Sequence, residues 1–255
     1  MSVGSYFDLQ TPLGIAHRGG SLEHLENTAS AFHHAIDLGY TVIETDIQVT
    51  RDGVMVVHHD RTTARTSRVN IDIPAESWSR LSTVQLLNGD AILRFEELLE
   101  LVGPQVYLNV DPKTDEAGQS LAQFLQANPQ LRERLCVGSF STRRLISLRE
   151  RIPGLKSSLG SAEMVKLMLA FVSGRKFVAS SGVCAIQIPP RAYGISLTNS
   201  RFIDYVHEQG LDVHVWTIDE EHEMRRLYAL GVDAVMTDRP TLLKKVLTDL
   251  RESGQ

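Results

Sequence analysis

Short apolar or β-branched runs recur along the chain near Ile15, Val42, Val106, Cys136, Lys156, Ala185, Val213 and Ala234, and stretches with helical apolar spacing separate them. Strand then helix, repeated, is the rhythm of parallel strands with crossover helices, and eight such strands close a barrel. The helical stretches carry their own punctuation. ENTASAFHHAIDLG opens with Asn27 as its expected N-cap, carries Ala31, Phe32, Ala35, Ile36 and Leu38 on one stripe, and stops at Gly39. STRRLISLRERI places Leu145, Ile146, Leu148 and Ile152 on a stripe, and EEHEMRRLYALG closes at Gly231. One segment breaks the rhythm: from Arg61 to about Phe95 the chain is rich in Arg, Ser and Thr and reads as a small insertion. The expected fold is α/β, a TIM-type (β/α)8 barrel. It forms a single domain over residues 1–255, with about 61–95 inserted after the second strand's hairpin.

With 255 residues and 42% hydrophobic content, the chain can build such a barrel and its core. A net charge of −5 gives no general attraction to nucleic acid or to an anionic membrane, so any phosphate has to be gathered locally. The two cysteines, Cys136 and Cys184, sit in apolar runs and read as buried free thiols. The stretch MSVGSYFDLQTPLG lacks a positive start and an apolar core, and no apolar run is long enough for a bilayer. A cytoplasmic protein with no stable membrane insertion is the expectation; the oligomeric state is not legible.

The most chemical stretch is TVIETDIQVTRDGVMVVHHD, from Thr41 to Asp60. Side chains alternate in a strand, so Glu44 and Asp46 share one face. Arg51, Asp52 and Gly53 form a turn, and Val54 to Val57 returns as the second arm of a hairpin. A loop centred on Arg51 and Asp52 sets Glu44 across from His59 and Asp46 across from Val57, give or take a residue. Paired carboxylates suit a hard divalent cation such as Mg²⁺ or Ca²⁺, although alternating acids also fit a solvated sheet face. Upstream, LGIAHRGG ends a short strand in His17 and Arg18, an imidazole beside a planar guanidinium fork suited to phosphate. Asp111 and Lys113 alternate on a later strand, where an ordinary cross-strand ion pair explains them equally well.

His17-Arg18-Gly19, Glu26-Asn27-Thr28, Ala31-Phe32, Glu44-x-Asp46, Asp52-Gly53 and His59-Asp60 occur in that order and spacing. Together they resemble the glycerophosphodiester phosphodiesterase family. The likeness resumes at VYLNVDPK, at GSF ending in Phe140, at VHVWTID and at GVDAVMTDRP, so it spans nearly the whole chain with a loosely matched middle. The resemblance implies that His17 and His59 act as an acid–base pair, that Arg18 holds phosphate, and that Glu44 and Asp46 ligate a divalent cation. A third ligand comes from an E-x-K motif that here reads Asp111-Pro112-Lys113, a departure that shortens the carboxylate by one methylene and leaves Lys113 for phosphate. Trp216 corresponds to a tryptophan near the substrate, and Glu26 and Asn27 to residues lining the mouth.

The implied activity is metal-dependent hydrolysis of a small glycerophosphodiester to sn-glycerol 3-phosphate and an alcohol, with the insertion covering the site. Two alternatives stand beside it. A lysophospholipase D would want an apolar mouth, for which Trp78, Leu81, Val84, Leu86 and Leu87 of the insertion are the candidates. A catalytically silent barrel used as a scaffold would have lost a motif residue, yet His17, Arg18, Glu44, Asp46 and His59 are all present.

Overall fold

A computed structural model describes residues 5–192 and 194–253, with the side chain of Ile195 excepted. The first third contains β1 (Leu13–Ala16), α1 (Ala29–Asp37), β2 (Val42–Val49), β3 (Met55–Val57), the one-turn α2 (Trp78–Leu81) and α3 (Phe95–Val102). Then come β4 (Tyr107–Pro112), α4 (Asp115–Ala127), β5 (Leu135–Val137), α5 (Thr142–Arg151), β6 (Lys156–Ser158) and α6 (Ser161–Val172). The chain finishes with β7 (Val183–Ile188), a small hairpin of β8 (Arg191–Ala192) and β9 (Ile195–Ser196), α7 (Ser200–Glu208), β10 (Asp212–Val215), α8 (Glu221–Ala229), β11 (Ala234–Thr237) and α9 (Pro240–Glu252). Strands β1, β2, β4, β5, β6, β7, β10 and β11 pair in parallel in that order, and β11 returns to β1. This is a closed (β/α)8 barrel, and all eight strands expected to form it lie in it, with β3 as the hairpin arm beside β2.

The barrel follows from alternation. Outward strand residues such as Ile43, Val110, Val137 and Val235 join helix residues such as Phe32, Leu121, Leu145 and Leu243 in the main core. Inward residues Ile15, Val42, Tyr107, Cys136, Ala234 and Met236 form a second cluster inside the barrel. A turn at Tyr6–Asp8 closes its floor: Tyr6 is fully buried, meets Tyr107 edge-on with ring centroids 6.3 Å apart, and Phe7 stacks on His214. Toward the C-terminal ends of the strands the same faces turn polar. His17 follows Ile15, Glu44 and Asp46 follow Val42, and Asn109 and Asp111 follow Tyr107, each at the two-residue period.

The insertion has its own small core. Ile71, Ile73, Leu81, Val84, Leu86 and Ile92 pack on Val56 of β3, with Trp78 partly buried beside them, so Leu81, Val84 and Leu86 face inward rather than toward the mouth. Of the five apolar candidates for a lipid-binding surface, Leu87 alone is largely exposed.

Four expectations need correction. The cap of α1 is Thr28, whose hydroxyl accepts from the Ala31 amide, because Asn27 is committed elsewhere. Ile146 faces outward at 40% exposure: it follows Leu145 directly and points some 100° away around the helix. Cys136 is a buried free thiol, but Cys184 on β7 is only partly buried. The β2–β3 hairpin is offset by one residue, pairing Ile47 with Val57 and Gln48 with Val56. Its loop centres on Asp52, with the Thr50 amide donating to the Val54 carbonyl, so Asp46 lies across from His58, whose amide it receives at 3.0 Å.

Because Tyr6 fills the barrel floor completely, Tyr6→Ala should destabilise the fold by about 3–5 kcal/mol. Urea unfolding of the two proteins reads this directly, and a difference below about 1 kcal/mol would remove Tyr6 from the core.

Candidate active site

All the polar residues singled out in the sequence gather at the C-terminal end of the barrel, where barrel enzymes hold their chemistry. His17 and Arg18 leave β1 in a tight turn. Arg18 takes the left-handed backbone conformation, φ 53°, which costs a non-glycine residue about 1 kcal/mol or more. Gly19 and Gly20 let this turn lie flat on its neighbours: a Cβ at Gly19 would stand 2.8 Å from Ala31 Cβ, and one at Gly20 would stand 2.5 Å from Pro240 Cγ. The reward is position. The Arg18 amide donates to Glu44 Oε2 at 3.0 Å while its guanidinium reaches Asp46 Oδ2 at 3.1 Å and Glu26 at 3.2 Å.

Asn27 is the second left-handed residue, φ 56°. Its amide nitrogen donates to Asp46 Oδ2 at 2.9 Å and its carbonyl accepts from Thr45 Oγ1 at 2.8 Å. The side chain is thus an internal strut. It holds Asp46 rather than lining an open mouth.

The carboxylates differ in charge state because their neighbours differ. Burial and the nearby Asp46 charge push Glu44 up to about 7. Burial works against Asp46 as well, yet Lys113 and Arg18 outweigh it and hold the pKa below the usual value. Asp111 is raised, chiefly by burial. Lys113 stands between the two aspartates, 2.7 Å from Asp46 Oδ1 and 2.8 Å from Asp111 Oδ2, and these partners overcome its own burial and raise its pKa. Two carboxylate oxygens from adjacent strands therefore converge on one cationic centre, in an all-oxygen set that also includes Glu44 two residues away. That set suits a hard divalent cation in kind and in burial. As the side chains stand, no three metal-binding groups among the described residues converge on one point.

The two imidazoles share an arrangement. His17 has Nδ1 2.7 Å from Asp238 Oδ1, and its Nε2 faces Glu44 Oε2 at 3.7 Å. Burial would depress its pKa, but Glu44 and Asp238 overcome this and raise it. His59 has Nδ1 2.7 Å from Asp60 Oδ1. A carboxylate on Nδ1 fixes the proton there and leaves Nε2 to exchange protons with a ligand. His58 is different: it is 3% exposed, Nδ1 meets the Asp60 carbonyl at 2.8 Å, and Nε2 meets Thr66 Oγ1 at 2.9 Å. Burial lowers its pKa. Both of its nitrogens are taken, so His58 builds the loop, whereas His59 is partly exposed and close enough for its charge to help hold Asp46 down.

Trp216 follows β10 and packs at the top of the barrel interior, edge-on to Phe140 with centroids 5.7 Å apart. Phe140, after β5, is 68% exposed and forms the apolar part of the mouth. Sequence reasoning assigned no role to Phe140, Asp60, Arg65 or Asp238. The last was findable, since it follows the eighth barrel strand at the end where site residues concentrate.

The profile of the glycerophosphoryl diester phosphodiesterase family matches residues 17–242. The chain belongs to that family. A relative from Mycobacterium tuberculosis, named probable glycerophosphodiester phosphodiesterase 2, is 32% identical over 92% of this chain and 90% of its own. A lysophospholipase D of Rattus norvegicus is 26% identical over 92% of this chain and 86% of its own. In fold, the chain is similar to a glycerophosphoryl diester phosphodiesterase domain from Mycobacterium tuberculosis, with a TM-score of 0.77, 17% identity, and coverage of 94% of this chain and 100% of that one. Family membership thus rests on the sequence match, and the solved structure bears out the barrel.

Asn27 supplies both a backbone conformation and two hydrogen bonds, and substitution separates them. Asn27→Gly keeps access to positive φ and loses only the amide, whereas Asn27→Ala loses both. Denaturant unfolding should find the alanine variant less stable than the glycine variant by about 1 kcal/mol. Equal stability of the two would mean that the left-handed backbone carries no strain.

Proposed function

We propose that this protein hydrolyses glycerophosphodiesters to sn-glycerol 3-phosphate and an alcohol. The observation that carries the reading is the pair of imidazoles, each held through Nδ1 by a carboxylate, at a rim that also holds Arg18 and a buried acidic cluster. Arg18 offers the planar fork for phosphate oxygens. One imidazole Nε2 takes the proton of an attacking glycerol hydroxyl while the other, protonated, gives its proton to the leaving alcohol. The P–O bond to the alcohol breaks as the new one forms, leaving a cyclic phosphate. Water then opens the ring with the two imidazoles in exchanged roles, and the starting protonation states return. Glu26 steadies Arg18, Asn27 steadies Asp46, and Trp216 with Phe140 borders the substrate.

Glu44, Asp46 and Asp111 would hold Mg²⁺ or Ca²⁺, which when bound supplies positive charge at the phosphate and lowers the pKa of a neighbouring hydroxyl. Lys113, which reaches Asp46 Oδ1 and Asp111 Oδ2, would then have its charge free for the phosphate. A water-soluble alcohol fits better than an acyl chain, because the insertion uses Leu81, Val84 and Leu86 in its own core. Turnover of glycerophosphocholine against lysophosphatidylcholine, with and without EDTA, tests the whole reading. No helix among the described residues is long and apolar enough to cross a membrane.

Cation binding has a pH signature. Glu44 titrates at about 7 in the fold against an ordinary 4.5, so at pH 5.5 a cation must displace its proton and above pH 7 it need not. Added Mg²⁺ or Ca²⁺ should therefore raise the melting temperature clearly at pH 8 and weakly at pH 5.5. EDTA should abolish turnover. Asp111→Asn should weaken the thermal shift and Lys113→Ala should not; full turnover after exhaustive chelation would sink the cation.

The imidazoles are tested by removal. His17→Ala and His59→Ala should each lower kcat by ~10²-fold or more with the fold retained. His58→Ala should instead lower the melting temperature, since it removes two hydrogen bonds from the insertion's base. Near-parental kinetics for His59→Ala would overturn its role.

A further inference from the structure

Arg65 lies in the insertion, on a turn closed by the Thr66 and Ser67 amides donating to the Thr63 carbonyl at 3.1 and 2.8 Å. His58 ties this turn to the rim of the barrel, since it binds the Asp60 carbonyl through one nitrogen and Thr66 through the other. The Arg65 side chain is thereby aimed back over the site, and three of its N–H groups are engaged. Nη1 and Nη2 meet Glu26 Oε2 and Oε1 at 2.6 and 2.7 Å, a two-pronged contact, and Nε donates to Asp60 Oδ2 at 2.8 Å. A planar guanidinium holding two carboxylates fixes their rotamers as well as their charge. Each of those carboxylates touches a different part of the site. Asp60 turns its other oxygen to His59 Nδ1 at 2.7 Å, and Glu26 receives Arg18 at 3.2 and 3.3 Å.

We propose that Arg65 is a positioning residue that ties His59 and Arg18 to one rigid frame, acting on the imidazole through Asp60 and on the phosphate-binding guanidinium through Glu26. The proposal rests on the proton-transfer role of His59 and the phosphate role of Arg18 given above. Supporting it, burial would raise Asp60, but Arg65 and His59 overcome this and hold it down at about 2, so the carboxylate stays anionic beside the imidazole. Burial likewise opposes an ionised Glu26, and Arg65 with Arg18 outweighs it. Half of the Arg65 surface remains open to solvent, so its ion pairs are screened, and its contribution is geometric before it is energetic. The insertion is then part of the catalytic frame as well as its cover.

Two separable pathways give a test that a merely structural residue fails. Arg65→Ala should lower kcat by about 10- to 100-fold through His59 and raise KM for glycerophosphocholine through Arg18. Asp60→Asn should reproduce only the loss in kcat, and Glu26→Gln chiefly the rise in KM. In an Asp60→Asn background, Arg65→Ala should lower kcat little further while still raising KM. Arg65→Lys, which keeps the charge but offers no planar fork, should recover part of the KM effect and little of kcat; it also serves if the alanine variant folds poorly. Full kcat and KM in Arg65→Ala, or strictly additive losses with Asp60→Asn, would overturn the proposal. His59→Ala separates the two readings: if it is inactive while Arg65→Ala is parental, Arg65 alone falls. If His59→Ala turns over normally, the role of His59 falls first.

Discussion

The rim of the barrel is organised around one electrostatic constraint: Glu44, Asp46 and Asp111 lie on adjoining strands, and the first two are 5% and 1% exposed. Like charges so placed cannot all ionise unless positive charge stands among them. Lys113 and Arg18 provide it, Lys113 by bridging the aspartates and Arg18 by reaching Asp46 from the side. Glu44 receives less help, and burial with the Asp46 charge pushes its pKa up to about 7. The strained turn after β1 follows from this constraint. A left-handed Arg18 presents its amide to Glu44 and its guanidinium to Asp46 in the same residue, whereas a continuing strand would turn its side chain to the face opposite His17.

The fold was legible because a parallel barrel writes its strands as apolar runs at near-regular intervals, and all eight runs, from Ile15 to Ala234, became barrel strands. Glu44 and Asp46 were legible for a related reason, since alternation inside β2 needs no knowledge of the rest of the chain. Alternation stopped being informative at Val57. There β3 ends and the chain bends, so the face taken by His58 or His59 depends on the insertion, where Thr66 claims His58. The one-residue offset of the hairpin has the same origin: the loop centres on Asp52, whose carboxylate accepts from Thr50 and from the Trp78 amide. A partner in the insertion thus set a turn that local residues alone left open.

Asp238 and Arg65 were illegible for complementary reasons. Asp238 meets a histidine 221 positions away, and only closure of β11 onto β1 brings them together. A sequence pattern marks the end of the last strand but not what stands across the closure. Arg65 sits in a segment with neither helical nor strand periodicity, where arginine is ordinarily a solvated side chain. Its significance appears only with Asp60 and Glu26 in place.

The insertion therefore has a divided character. Its apolar residues are consumed in a core built on Val56, which makes it a rigid piece rather than an adaptable apolar lid. Its polar base reaches into the site through the His58 bridge and the Arg65 fork. The groups left exposed near the strand ends differ in kind: Phe140, edge-on to Trp216, is aromatic, whereas Asp60 and Arg65 are paired charges. With Leu81, Val84 and Leu86 buried in the insertion's own core, none of the three is left to extend the aromatic pair into a wider apolar surface.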